Sequence, residues 1–412
     1  MNRFNGIFLG ISLLLLQACG ATPPLEARHQ PSGLNTQFNG GQLTFSDYVA
    51  DSRAMIRKVR TRRDEAELEK IVNGNAPFEL KPAEGCPKGR DKPYRRGVLL
   101  THGLTDAPYS MHVLASFFQE NCFRVMAILL PGHGTQPGDL LDVTWQEWAK
   151  AEAYGADRLA AEADEIYLGG LSTGGTLSVY QALGDSRVRG LFLFSPALKV
   201  TPMASLANVH KVYSWLLPSA KWVNILPDKA IYKYESFPKN AAAQIYALIQ
   251  EVQDRLHEHA VNIPIFTAAS QDDTTVYTSA TLDFMSHARH TSNKLILYTT
   301  DTKKIPPAIP KGNLELVNSV FPEQKILSAA HTSIILPIDD AYYGMMGAYA
   351  NCTHYYPDDI KQYDACNKNS GQNLHGELTE ENLKAGTLRR LMVNPNFPTL
   401  KVSMKKFIDS LP

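Results

Sequence analysis

Ser172 stands at the centre of Gly170-Leu171-Ser172-Thr173-Gly174, and the residues around it suit a nucleophile. The preceding run, Asp164-Glu165-Ile166-Tyr167-Leu168, reads as a short buried strand. The following run, Gly175 to Leu183, reads as a helix. A serine between two glycines at a strand-to-helix turn is held above the sheet edge at a helix N-terminus. There the helix dipole and free backbone N–H groups favour a developing negative charge. The glycines are needed because side chains on either side of so tight a turn would collide.

A serine hydroxyl is a weak nucleophile until a base takes its proton, and the base needs a group to orient it. Downstream of Ser172, two segments supply such groups in workable chain order. The first is Ser270-Gln271-Asp272-Asp273-Thr274-Thr275-Val276, directly after an apolar strand. The second is Ala329-Ala330-His331-Thr332-Ser333. His331 is the expected base. His102 and His133 fall in glycine turns and are expected to fix loop geometry. His257 and His259 are expected to be solvated, and His287 and His290 to lie near a helix end. His354 and His375 lie in a later insertion.

Leu100-Thr101-His102-Gly103-Leu104, Pro131-Gly132-His133-Gly134, the serine pentapeptide, the Asp272-Asp273 turn and His331 together resemble the α/β-hydrolase superfamily. Within it they resemble the bacterial carboxylesterase and monoacylglycerol lipase group. The resemblance covers roughly residues 95–335 and the last helix. It implies that the backbone N–H groups of Leu104 and Thr173 form an oxyanion hole. It also favours Asp273 over Asp272 as the orienting acid. The implied function is a serine hydrolase that cleaves carboxylic esters through an acyl-enzyme and needs no cofactor. Two alternatives share the sequence features: an amidase or peptidase using the same triad, and a non-catalytic surface lipoprotein that keeps the fold.

Elements that could position these residues alternate along the chain. Strands are expected at 97–101, 123–130, 165–169, 190–194, 263–268 and 294–299, with helices at 109–120, 144–161, after Ser172, and at 276–288. Near-continuous apolar strands alternating with helices predict an α/β fold with a mostly parallel sheet covered on both faces. The core is expected at 97–195 and 263–412, with an irregular insertion at 338–398 and a last amphipathic helix from Phe397 to Leu411. Residues 45–96 read as a helical and loop extension: helices over 45–72, then a proline-rich loop over 73–96. Extra strands are expected at 313–319 and 324–328. Residues 196–262 interrupt the rhythm and read as a helical cap with an apolar underside. It includes a helix over 241–257, and Trp215 and Trp222 are candidate acyl contacts. Tyr342 and Tyr343 either rim the pocket or serve structure.

The N-terminus reads as a processing signal. Arg3 precedes the apolar run Ile7 to Leu16, which is too short to span a bilayer. Leu16-Gln17-Ala18-Cys19 resembles a bacterial lipobox, with residues 1–18 removed and Cys19 lipidated. An ordinary secretory signal is the alternative. Gly20 and Ala21, with no aspartate after the cysteine, resemble lipoproteins sent to the outer membrane. Residues 19–44 read as a tether. The expected location is the bacterial cell envelope, with the chain attached to the membrane through an N-terminal lipid. The chain has 412 residues with 41 basic and 41 acidic side chains, a balance that offers no electrostatic footprint for nucleic acid. Beyond Cys19, four cysteines remain in an oxidising compartment, and three pairings are possible. We favour Cys86–Cys122, joining the segments before two neighbouring strands, and Cys352–Cys366, closing a short polar loop. Free thiols are the alternative. No cysteine or histidine spacing suggests a metal site.

Overall fold

The computed structural model describes residues 23–61, 64–201, 217–304, 306, 309–368 and 371–411. Cys19 and Trp215 lie outside the described residues. The chain opens with α1 (Phe45–Val59) and α2 (Glu65–Asn75), then β1 (Phe78–Leu80) and β2 (Tyr94–Thr101). Next come α3 (His112–Glu120), β3 (Phe123–Ile128), α4 (Trp145–Glu162), β4 (Ala163–Leu171), α5 (Thr173–Gly184) and β5 (Val188–Phe194). A ribbon of β6 (Trp222–Asn224) and β7 (Phe237–Pro238) precedes α6 (Lys239–Glu258), β8 (Ile265–Ser270), α7 (Thr278–His287), β9 (Lys294–Thr299) and β10 (Leu314–Asn318). The last stretch holds α8 (Ile360–Asn367), β11 (Leu374–Gly376), α9 (Glu380–Ala385), β12 (Leu388–Arg390) and α10 (Phe397–Asp409).

Eight strands form one sheet in the order β1-β3-β2-β4-β5-β8-β9-β10. Only β1 is antiparallel, pairing Phe78 with Ala127 at the edge. This is the α/β-hydrolase fold. Side chains alternate across each strand, so neighbours feed opposite cores. Val98 and Leu100 pack on one face with Phe117, Phe118, Leu400 and Phe407 of α3 and α10. Leu99 packs on the other with Trp148, Leu177, Ile245 and Phe284 of α4 to α7. Both faces are buried, which is why the strands read as continuous apolar runs.

The sequence expectations hold for the strands and helices that flank the serine, within a few residues at their ends. Five expectations need correction. The 73–96 loop contains β1, whose three residues are too few to show a period. The 19–44 segment is not a free tether over its described part. Asn35 Nδ2 donates to the His133 carbonyl at 2.6 Å, and Ser32 Oγ donates to Asp139 Oδ2 at 2.8 Å. Polar residues that read as solvated are satisfying a buried turn instead. No strand forms at 324–328, where Ile326 makes only isolated bridges to Phe321 and His375. The 338–398 insertion, though irregular, carries α8, α9 and the parallel pair β11–β12. Finally, α6 is not a cover over the serine. Ala241, Ile245, Leu248, Ile249 and Val252 place its apolar stripe in the same core as α4 and α5.

Both favoured disulfides are present. Cys86–Cys122 joins the approaches to β2 and β3, and Cys352–Cys366 ties the start of α8's loop to its last turn. With sequence separations of 36 and 14 between the paired cysteines, chain entropy assigns them about 4 and about 3 kcal/mol.

Beneath the serine turn lies a buried acid that the sequence did not reveal. Glu152 of α4 is fully buried and accepts from Thr101 Oγ1 at 2.6 Å and from Ser178 Oγ at 3.3 Å. Burial pushes its carboxyl up to about 7, against those two hydrogen bonds. The native state therefore holds a proton that the unfolded chain releases at lower pH. Stability is lost as pH rises from about 4.5 to about 7. Glu152→Gln should remove that loss. Chemical denaturation at pH 5 and pH 8 should show the variant gaining up to about 3 kcal/mol on the wild type between the two. Parallel pH profiles would mean that Glu152 ionises normally.

Candidate active site

Ser172 sits between β4 and α5 with φ 53° and ψ −113°, a left-handed backbone region unusual for a side-chain-bearing residue. Its N–H donates to the Phe194 carbonyl at 2.9 Å, and its own carbonyl accepts from Thr176 and Ala197. The two glycines are obligatory for space. A Cβ on Gly170 would meet the Gly174 carbonyl carbon at 2.2 Å, and one on Gly174 would meet the Thr101 carbonyl oxygen at 2.0 Å. The pentapeptide thus follows from packing a helix start against the ends of β2 and β4.

His331 opens a short 3₁₀ turn, His331–Ser333, in which Ser333 Oγ accepts from Ala330 N–H at 2.8 Å. Its Nδ1 lies 2.6 Å from Asp273 Oδ2, and both side chains are nearly buried. Asp273 Oδ1 accepts from the N–H groups of Thr275 and Val276 at 2.8 and 3.0 Å. Burial alone would raise the Asp273 carboxyl. The His331 ring and those two amides outweigh it and hold the group below its ordinary range. Asp272 is different. Its Oδ2 is buried without a partner among the described residues. Burial and the nearby Glu377 and Glu381 carboxylates push it up to about 6.

Ser172 and His331 line one narrow cavity of about 60 Å³, with Leu104, Leu171, Leu336 and Met392 as its apolar walls. Leu104 follows the His-Gly turn, and Thr173 opens α5 at its unpaired N-terminal end. The Leu104 position is set by two buried histidines. Leu130 N–H donates to His102 Nε2 at 3.1 Å, and Thr105 N–H donates to His133 Nε2 at 3.0 Å. In each ring Nδ1 faces a carbonyl, Gly103 for His102 and Pro131 for His133, so Nδ1 carries the proton. Burial lowers both rings, His133 to about 4, which keeps them neutral and able to accept. On the other side the Thr105 carbonyl accepts from Tyr234 N–H at 2.7 Å. Residues 230–236 of the expected cap therefore do reach the site, although α6 does not.

Trp222 is brought elsewhere. It is buried edge-on against His29, with ring centroids 5.1 Å apart, and does not line this cavity. Its bulk fills the junction with the N-terminal segment. Tyr343 lines the cavity, whereas Tyr342 packs on Tyr232 and accepts from Ile231 N–H at 2.8 Å.

Glu377 was not anticipated. Its Oε2 accepts from His331 N–H at 2.8 Å, and Arg390 grips both oxygens at 2.8 and 3.0 Å. Arg390 also donates to Thr275 Oγ1, beside Asp273. The ion pair, with Glu377 buried and Arg390 partly exposed, fastens the 338–398 insertion to both loops of the Asp273–His331 pair. Nothing local in the sequence marks it, since its partners lie far away along the chain.

A family model described as serine aminopeptidase, S33, matches residues 92–300, about half of the chain. The chain belongs to this family. The S33 match spans β2 through β9 and so includes Ser172 and Asp273. A thermostable monoacylglycerol lipase from Bacillus sp. (strain H-257) is 28% identical over 186 residues, covering 45% of this chain and 70% of the relative. Among solved structures, one described under the metagenome-derived lipolytic enzymes LipS and LipT is 23% identical, covers 54% of this chain and 86% of its own, and has a TM-score of 0.45. The Paleococcus ferrophilus monoacylglycerol lipase is 18% identical, with coverage of 54% and 88% and a TM-score of 0.41.

Proposed function

We propose that this S33 hydrolase cleaves carboxylic esters, with Ser172 as nucleophile, His331 as general base and acid, and Asp273 as the orienting carboxylate. The observation that carries the reading is the shared cavity of Ser172 and His331, with Asp273 2.6 Å behind the histidine. Asp273 accepts from Nδ1–H, which leaves Nε2 free to take the serine proton. Ser172 Oγ attacks the carbonyl, and the oxyanion meets the N–H groups of Leu104 and Thr173. Collapse expels the alcohol with the proton from His331. Water then repeats the sequence on the acyl-enzyme.

The leucine and methionine walls suit a short acyl group, and the likeness to a monoacylglycerol lipase favours esters over amides. The family description names an aminopeptidase, so the competing activity is amide cleavage. Matched butyrate substrates separate them. The p-nitrophenyl ester should be turned over far faster than the p-nitroanilide. Comparable rates, or a preference for aminoacyl anilides, would favour the peptidase.

We further propose that Cys19 carries a lipid that holds the enzyme in the cell envelope. Described residues begin to pack on the domain soon after it, with His29 buried against Trp222. The domain would then sit close to its membrane. Cys19→Ser should move the protein from the membrane fraction to the soluble fraction at unchanged specific activity. Retention of the variant in membranes would contradict the anchor.

A further inference from the structure

Four polar side chains join Ser172 and His331 at the cavity besides Thr332: Asp106, Ser110, Lys233 and Tyr343. Two of them are committed. Ser110 Oγ donates to the Ala107 carbonyl at 3.0 Å. Asp106 is held by the backbone at Ala107 and Gly103. The other two are not. Lys233 acts on its charged neighbours only through space, and its ammonium makes no hydrogen bond or ion pair with a described residue. The Tyr343 hydroxyl is buried and also meets no partner among the described residues.

The neighbours that could have paired with Lys233 are taken. Glu235 accepts from the Tyr349 hydroxyl at 2.7 Å and from Lys229 N–H at 3.0 Å. Arg390, the other cation nearby, is held by Glu377. A buried phenol without an acceptor is costly, and the half-buried Lys233 beside it holds an ammonium that no described side chain pairs. Both belong to the wall of one cavity beside a reactive serine. An acceptor-rich, negatively charged group entering that cavity would satisfy both donors at once, and its charge would favour the ammonium form.

We propose that this enzyme selects esters bearing an anionic oxygen group, a carboxylate or phosphate a few bonds from the scissile carbonyl, bound by Lys233 Nζ and Tyr343 Oη. The proposal rests on the ester-hydrolase reading and narrows its substrate class. Lys233 and Tyr343 set specificity and take no part in bond making.

Two substrate pairs test it. Ethyl pentanoate against monoethyl glutarate replaces a terminal methyl by a carboxylate on the acyl side. Propyl butyrate against the butyryl ester of 3-hydroxypropanoate does so on the alcohol side. The wild type should favour the anionic member of one pair, which also tells which side the anion occupies. Lys233→Met should lower the anionic-to-neutral ratio of kcat/KM for that pair by about 10- to 100-fold, the range for losing a charged hydrogen-bond partner. Tyr343→Phe should lower it less, and Lys233→Arg should preserve the preference. Thermal melting and fluorophosphonate labelling establish that each variant is folded and reactive. If the wild type favours neither anion, or if the preference survives Lys233→Met, the proposal is wrong while the hydrolase reading stands. An enzyme that turns over no ester and resists fluorophosphonate would overturn both.

Discussion

Ser172→Ala should reduce kcat/KM for a short acyl ester by at least ~10³-fold while leaving the thermal melt unchanged. The size of the effect follows from what the hydroxyl supplies. Without Oγ no acyl-enzyme forms, and only the oxyanion amides and substrate binding remain to help water attack. Folding should survive because the turn depends on Gly170, Gly174 and backbone hydrogen bonds, none of which uses the Ser172 side chain. Alanine meets the same positive φ that serine does, so backbone strain is preserved. Activity near wild type in this variant would assign the chemistry to another residue.

Asp273→Asn should cost about 10³- to 10⁴-fold, a loss through the wrong histidine tautomer. Asp273 Oδ1 accepts from two amides, and Oδ2 faces His331 Nδ1. In the variant the amide oxygen is drawn to the two N–H donors, which leaves the NH₂ group facing Nδ1. The ring then keeps its proton on Nε2 and can no longer receive one from serine. Asp272→Asn is the control. That carboxyl has no contact with His331 and sits near two other carboxylates, so its neutral isostere should keep activity. The opposite ranking would assign the orienting role to Asp272 and leave the serine assignment standing. Measuring both variants against one ester at one pH decides between them.

The chemistry-bearing turns were legible because each is local. Gly170 to Gly174 betrays itself by glycine spacing between a strand pattern and a helix pattern, and Asp273 by its place after β8. The disulfides were legible for a related reason: Cys86 and Cys122 precede strands that the pattern already located, and Cys352 and Cys366 close one short polar stretch. What escaped was non-local. Three-residue β1 has too little sequence to show alternation, yet it extends the sheet by pairing with β3. The amphipathic stripe of α6 is the same whether it covers a substrate or a sheet, and only the fold places it beside α4 and α5. Trp222 read as a pocket residue because burial of an indole is equally well met by any apolar surface, here the His29 junction. Glu377, Arg390 and Lys233 carry no motif. Their importance lies in partners or gaps assembled from the insertion and the cap, which no spacing along the chain reveals.

An activated Ser172 reacts with electrophiles that ordinary serines resist. Labelling the purified protein with a fluorophosphonate and mapping the adduct by peptide mass spectrometry tests this activation most directly. One adduct is expected, on the peptide containing Ser172, abolished by prior heat denaturation and lost in Ser172→Ala. An unlabelled native protein, or an adduct on any other serine that persists in that variant, would contradict it.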